Sequence, residues 1–310
     1  MPLALPSPTR RAALLGALAA TLPLAARAQG RPVVVASKLD TEGALLGEMI
    51  AQVLAAKGVP VERKLQLGPT RIVRGAILAG EIDVYPEYTG NGAFFFQMES
   101  DPAWHDPAAG AAKVKALDAE RNDLVWLEPS PANNTWAIAV RSDLAASARL
   151  ASLEDLARHL AANGPFKLAA SAEFVESPAA LPAFQRVYGF TLPPDRLVVL
   201  AGGDTAVTMR AAAERLNGVN AAMVYGTDGA IAALDLKVLA DPKGAQIVYR
   251  PAPVVRGAVA KAHPRLGEWL NPVFASLSLE TLQRLNSRVV VEGRDAREVA
   301  REHLKTLGIG

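Results

Sequence analysis

The feature that most constrains this chain is a change of apolar rhythm that recurs from Val33 onward. Val33-Val34-Val35-Ala36 is a short continuous apolar run, the pattern of a strand buried on both faces. It breaks into Ser37-Lys38-Leu39-Asp40-Thr41-Glu42-Gly43. Leu45, Leu46, Met49, Ile50, Val53 and Leu54 then recur at helical spacing, and Gly58 ends the helix. Residues 61–67 read as a second strand and 69–78 as a second helix closed by Gly80. Residues 82–85 read as a third strand. Strand–helix alternation of this kind predicts an α/β fold with a parallel sheet and right-handed crossovers.

A polar, proline-containing stretch at 99–107 interrupts the pattern, a helix follows over 108–120, and the alternation restarts. Strands are expected at 124–127, 136–140, 167–170, 197–200, 221–225 and 237–239, with helices between them and Ser152 and Asp204 as N-caps. The last quarter reads as helices at 264–277, 279–286 and 296–307. There is no fixed-period repeat and no low-complexity linker. Two similar α/β units without a flexible linker predict two parallel-sheet lobes with a ligand cleft between them.

The N-terminus reads as an address. Arg10 and Arg11 precede an apolar run over 12–26, and Ala26-Arg27-Ala28 places small residues at −3 and −1, so a secretory signal peptide with cleavage after Ala28 is expected. The run of about 15 residues is shorter than the ~20 that span a bilayer. Thr9-Arg10-Arg11 fits either an ordinary positive n-region or twin-arginine export. The whole chain carries a formal charge of +2; removing the leader leaves 30 basic against 31 acidic residues. Such a balance does not suggest a nucleic-acid binder. The chain has no cysteine. That excludes disulfides, thiolate metal sites and a lipid-modified N-terminal cysteine, so the expected product is free in a periplasm.

Catalytic signals are poor. His105, His159, His263 and His303 show neither metal-ligand spacing nor a nucleophile motif and read as surface residues. Gly202-Gly203-Asp204 reads as a turn with an N-cap. No catalytic set, cofactor or metal site is expected. Aromatic placement is more informative. Of only five tyrosines, Tyr85 and Tyr88 flank Pro86-Glu87 just past a strand, Tyr225 closes an apolar strand and Tyr249 precedes Arg250-Pro251. Trp136 follows Asn133-Asn134-Thr135. Strand carboxyl ends face the crevice of an open α/β sheet, so these rings either pack in the core or form a box for a quaternary ammonium group, each contact contributing about 0.5–2 kcal/mol.

At these residues the sequence resembles the osmoprotectant-binding proteins of ABC importers, with the nearest likeness to the YehZ/OsmF-type subgroup. The likeness rests on stretches 37–43, 80–91 (Gly-Glu-Ile-Asp-Val-Tyr-Pro-Glu-Tyr-Thr-Gly-Asn), 133–136, 220–229 and 251–256, in that order. The resemblance implies a two-lobed type II binding protein with two hinge crossings, near Asn133 and Tyr249. One lobe would comprise 29–133 with 250–310 and the other 134–249. It implies a receptor that delivers glycine betaine, choline or a related quaternary amine to an ABC permease and its ATPase, acting as a monomer without catalysis. Tyr88, Trp136, Tyr225 and Tyr249 match the box, Asn134 a position beside it, and Lys38 and Asn91 positions at the ligand's other end, where Lys38 would pair with a carboxylate. Tyr85, Ser177 and Thr205 are further candidates. Two departures stand out: Trp136 replaces the more usual Tyr, and Ser177 stands where betaine binders often carry a carboxylate-clamping Arg. Asp228 reads as a helix N-cap or a ligand group, and Arg256 as half of an ion pair. Receptors of the same fold for an amino acid or anion, or for a sensor, are the rival readings. A periplasmic enzyme is a more distant one.

Overall fold

The computed structural model describes residues 31–200 and 205–309. The expected signal peptide, Gly202-Gly203 and the expected Asp204 cap lie outside the described residues. Ten strands are described: β1 (Val33–Lys38), β2 (Val61–Gly68), β3 (Val84–Tyr88), β4 (Leu124–Trp126), β5 (Trp136–Arg141), β6 (Leu168–Ser171), β7 (Leu197–Leu200), β8 (Ala221–Tyr225), β9 (Leu236–Val238) and β10 (Pro251–Arg256). They form two five-stranded sheets with the same logic. One runs β2-β1-β3-β10-β4 and the other β7-β6-β8-β5-β9. Each sheet is the floor of one lobe.

Both sheets are mixed rather than all-parallel. β1 runs parallel to β2 and β3, but β10 lies antiparallel between β3 and β4. In the other sheet β6 runs parallel to β7 and β8, while β5 is antiparallel to β8 and β9. The antiparallel strand is in each case the one the chain enters from the other lobe. It starts at the cleft, where its parallel neighbours end, so it must run the opposite way. An apolar run reads the same in either direction, which is why the alternation alone implied parallel sheets.

The alternation of the strands feeds two cores per lobe. Val33, Val35, Val84 and Val255 face the Thr41–Ala56 helix and the C-terminal helices, while Val34, Ala36, Tyr85 and Val254 face the opposite layer with Val73, Ile77 and Trp104. In the second lobe Ile138, Val140, Leu168 and Met223 face a Phe-rich layer. Ala137, Ala139, Ala169 and Ala222 face the other way, and these small side chains let the Thr205–Ala213 helix lie close to the sheet. Local chemistry sets the helix ends. The Asp40 side chain accepts from Gly43 N–H at 2.7 Å to start the first long helix. Ser152 and Asp155 form a reciprocal capping box at Leu153–Ala161.

The chain passes between the lobes over residues 127–135 and 239–250, and the two passes run side by side. Asn134 N–H donates to Tyr249 O at 2.9 Å, and Tyr249 N–H donates to Asn133 Oδ1 at 2.8 Å. Gly90 permits this approach, since a Cβ there would sit 2.8 Å from both Val248 O and the Tyr249 ring. The C-terminal helices Leu266–Ala275, Leu279–Val290 and Ala296–Thr306 pack on the first lobe. The second runs a turn beyond the expected 286, to Val290. His303 is buried rather than on the surface, with Nε2 2.9 Å from Ser276 Oγ, and burial lowers its pKa. Its amphipathic helix turns that face inward, which a charged flank concealed.

Candidate functional site

A cavity of about 740 Å³ opens between the lobes. Strand ends supply its walls. β3 ends in Tyr88, β8 ends in Tyr225 and β5 begins with Trp136. Trp136 and Tyr225 are direct cross-strand partners, so their side chains stand on the same sheet face. Their rings lie nearly parallel at 21°, with centroids 6.4 Å apart. Phe174 meets Trp136 edge-on at 6.1 Å and holds the indole from behind. Tyr249 enters from the second crossing and Tyr88 from the opposite lobe. Rings from both lobes and the crossing thus surround one space, with a size typical of small-molecule sites.

Lys38, Tyr88, Asn91, Asn134, Trp136, Tyr225, Tyr249 and Thr205 all line this cavity. Tyr85 and Ser177 are not part of its lining. Tyr85 is fully buried beneath it, donating to Glu87 Oε2 at 3.0 Å. Ser177 follows a short helix, with its N–H bonded to Glu173 O. Among the described residues, no arginine lines the cavity. Asp228 does line it, but not as a helix cap: Gly229 takes the cap position, and Asp228 Oδ2 accepts from Tyr225 N–H at 2.8 Å to close the turn. Arg256 pairs with buried Asp83 at 2.5 Å, away from the cleft.

The charges at the site differ from expectation. Lys38 is buried and its Nζ is already paired with Glu87, beneath a cation–π contact 4.4 Å from the Tyr88 centroid. Glu87 also accepts from Tyr88 N–H and Asn91 Nδ2, both at 2.7 Å. The lysine therefore carries a compensated charge rather than a free one. Sequence reasoning passed over two residues here. Glu42 lines the cavity yet is buried, and accepts from Tyr88 Oη at 2.7 Å, Asn286 Nδ2 at 2.7 Å and Asn134 Nδ2 at 3.3 Å. Burial pushes its carboxyl up to about 7, Asp40 adds to the rise, and hydrogen bonds from Thr227, Tyr88 and Asn286 oppose it. Burial, with the neighbouring Glu42 carboxyl, pushes the Tyr88 phenol well above its ordinary range, so it remains a donor. Asn286 comes from the Leu279–Val290 helix, some 240 residues from Glu42 in sequence, a distance no local pattern bridges.

A family profile described as "Substrate binding domain of ABC-type glycine betaine transport system" matches residues 31–306. The chain is 59% identical over 290 residues to the glycine betaine-binding protein YehZ of Escherichia coli K12, covering 94% of each. It is 32% identical over 284 residues to a glycine-betaine-binding protein of Pseudomonas aeruginosa, covering 90% of this chain and 88% of that one. The solved structure of apo YehZ from Escherichia coli superimposes with a TM-score of 0.84, covering 91% of this chain and all of that one.

Proposed function

The chain belongs to the substrate-binding family of ABC-type glycine betaine transport systems, and from that premise we propose that it captures glycine betaine or a related quaternary ammonium solute in the cleft between its lobes. It is a binding component and not an enzyme. One observation carries the reading: Tyr88, Trp136, Tyr225 and Tyr249, drawn from both lobes and a crossing, line a single cavity. A quaternary ammonium group cannot donate a conventional hydrogen bond, so ring faces are its natural partners. We assign Lys38, Tyr88, Asn91, Asn134, Trp136, Tyr225 and Tyr249 as ligand contacts, with Thr205 at the rim. Closure of a lobe of 134–249 onto one of 29–133 with 250–310 would exclude water and strengthen the ring contacts. The closed monomer then delivers its ligand to a membrane permease driven by an ATPase. The place of action is the periplasm, reached with the leader; among the described residues no helix is long and apolar enough to cross a membrane.

A receptor for an anion would need a free cation in the cleft, and the lysine there is paired. Titration calorimetry with glycine betaine, choline and carnitine tests the assignment. Saturable binding of at least one is expected, with Trp136→Ala and Tyr225→Ala each weakening it tenfold or more while thermal unfolding stays cooperative. Wild-type affinity in both variants would remove the rings from the site.

A further inference from the structure

Behind the cleft wall of the first lobe lies a buried set of charges that is not part of the cavity lining, Lys38 apart. We infer that Glu87 is a positioning residue for the first-lobe half of the site, holding Lys38, Tyr88 and Asn91 in place, and that Arg74 fixes Glu87 through the hydroxyl of Tyr85. This rests on the receptor reading above.

The strand period places the two central groups together. Tyr85 and Glu87 are two residues apart on β3, so they stand on the same sheet face. Neither lines the cavity, and both are fully buried. Glu87 still meets three residues that do line it. Its Oε1 accepts from Lys38 Nζ, Tyr88 N–H and Asn91 Nδ2, the last two at 2.7 Å. Its Oε2 accepts from Tyr85 Oη at 3.0 Å. One carboxylate thus gathers a side chain from β1, a backbone amide from β3 and a side chain from the turn after β3. The last torsion of a glutamate is soft, so the bond on Oε2 is what keeps the carboxylate from turning.

Arg74 sets the direction of that bond. Its buried guanidinium is forked onto Asp118, with Nη1 2.9 Å from Oδ2, and it also hydrogen-bonds Tyr85. An arginine only donates. Tyr85 Oη therefore accepts from Arg74 and has its own proton left for Glu87. Burial, then the Glu87 charge, pushes this phenol well above its ordinary range, so the proton stays on it. Asp118 is itself held by Trp126 Nε1 at 2.6 Å and Asn122 Nδ2 at 2.8 Å. A chain of directed bonds runs from Asp118 through Arg74, Tyr85 and Glu87 to Lys38.

Anions and cations alternate along this chain, and all four are buried. Ion pairs at such depth add little stability over apolar side chains of similar volume, whereas they can fix one geometry. A second observation ties the same arginine to the site. From Asn91 the chain runs straight into the short Gly92–Phe95 helix, and the Phe95 ring lies over the Arg74 guanidinium at 4.3 Å. Asn91 is held at its amide by Glu87 and through its backbone by a ring stacked on Arg74. On the cleft side, the Lys38 ammonium that Glu87 anchors sits 4.4 Å from the Tyr88 centroid. A turn of Glu87 would move that ammonium against a ring of the proposed box and release the Asn91 amide.

Tyr85→Phe tests this, since it removes one buried hydroxyl and keeps the ring. Titration calorimetry of the intact protein with glycine betaine, or with choline if that binds tighter, should show affinity weakened by about tenfold, while thermal unfolding stays cooperative. Arg74→Lys keeps the charge but loses the fork, and should weaken binding by a similar factor. Glu87→Gln separates positioning from general loosening. There an amide nitrogen replaces the oxygen that takes the phenol proton, so adding Tyr85→Phe should change affinity by less than about twofold. In ligand-free wild type, the side-chain amide hydrogens of Asn91 should exchange with solvent about tenfold slower than those of a free amide; this nuclear magnetic resonance arm does not depend on a variant folding. Wild-type affinity in Tyr85→Phe, an equal loss in both backgrounds, or Asn91 amide hydrogens exchanging as freely as in solution overturns the inference and leaves the receptor reading standing. If the wild type binds neither amine, both fall.

Discussion

Glu42 illustrates at the scale of one residue how a binding site is kept at a cost to the fold. Its folded pKa of about 7 lies above the ordinary 4.5 because burial outweighs its hydrogen bonds. Between those values the unfolded chain has lost the proton that the folded chain keeps. Stability from this group is therefore greatest below pH 4.5 and falls as pH rises toward 7, by an order of about 3 kcal/mol. We expect Glu42→Gln to be more stable than wild type at pH 8 and close to it at pH 4.5, measured by urea unfolding of the ligand-free proteins. An equal difference at both pH values would mean that the carboxyl is not held protonated by burial. Lys38 shows the converse. Pairing with Glu87 satisfies a buried cation and removes it as a free partner for a ligand carboxylate.

Elements act as rulers that bring such residues to the cleft. The Leu279–Val290 helix begins at Ser278, whose Oγ accepts from Thr281 N–H, and its extra turn places Val290 on the same face as Asn286, four residues on, where both line the cavity. The β5–β8 ladder does the same for Trp136 and Tyr225 through register. Elements remote from the cleft serve stability alone. The Ser152–Asp155 capping box satisfies the start of Leu153–Ala161. Ser152→Ala should cost about 1 kcal/mol of unfolding free energy and leave ligand affinity unchanged. A calorimetric titration that showed weakened binding would place this helix in the site's support.

For the whole molecule, the contact that matters is where the Leu279–Val290 helix of one lobe touches the other lobe. Gln283 Nε2 donates to Gly226 O at 2.7 Å and Asn286 Nδ2 to Thr227 O at 2.9 Å, both in the turn after β8. Gly229 makes this possible. A Cβ there would stand 2.3 Å from Ser287 N and 2.4 Å from Asn286 C, backbone atoms that cannot step aside cheaply. Gly229→Ala should force the turn away from the helix, separating the lobes on that side. Small-angle scattering should show a larger radius of gyration for the ligand-free variant, and calorimetry a weaker ligand affinity. An unchanged radius and affinity would show that the turn yields without moving the lobe.

The sequence by itself determined the α/β class, the positions of most elements and the two-lobed plan, while its rings stayed open between core and box until the family resemblance assigned four of them to the cleft. The fold-level readings rest on local signals: a change of apolar period, a cap, a ring at a strand end. Ser152 is legible as a cap because its partner is three residues away, and Trp136 and Tyr225 because each opens or closes an apolar strand. Only the tertiary structure decided the direction of β5 and β10, the burial of His303 and the electrostatics of the site. Glu42 reads in the sequence as an ordinary acid in the first turn of a helix. Its raised pKa comes from burial, which outweighs the hydrogen bonds that Tyr88, Thr227 and Asn286 bring to it from distant parts of the chain. Desolvation is a property of the space around a group, and that space is assembled by the fold.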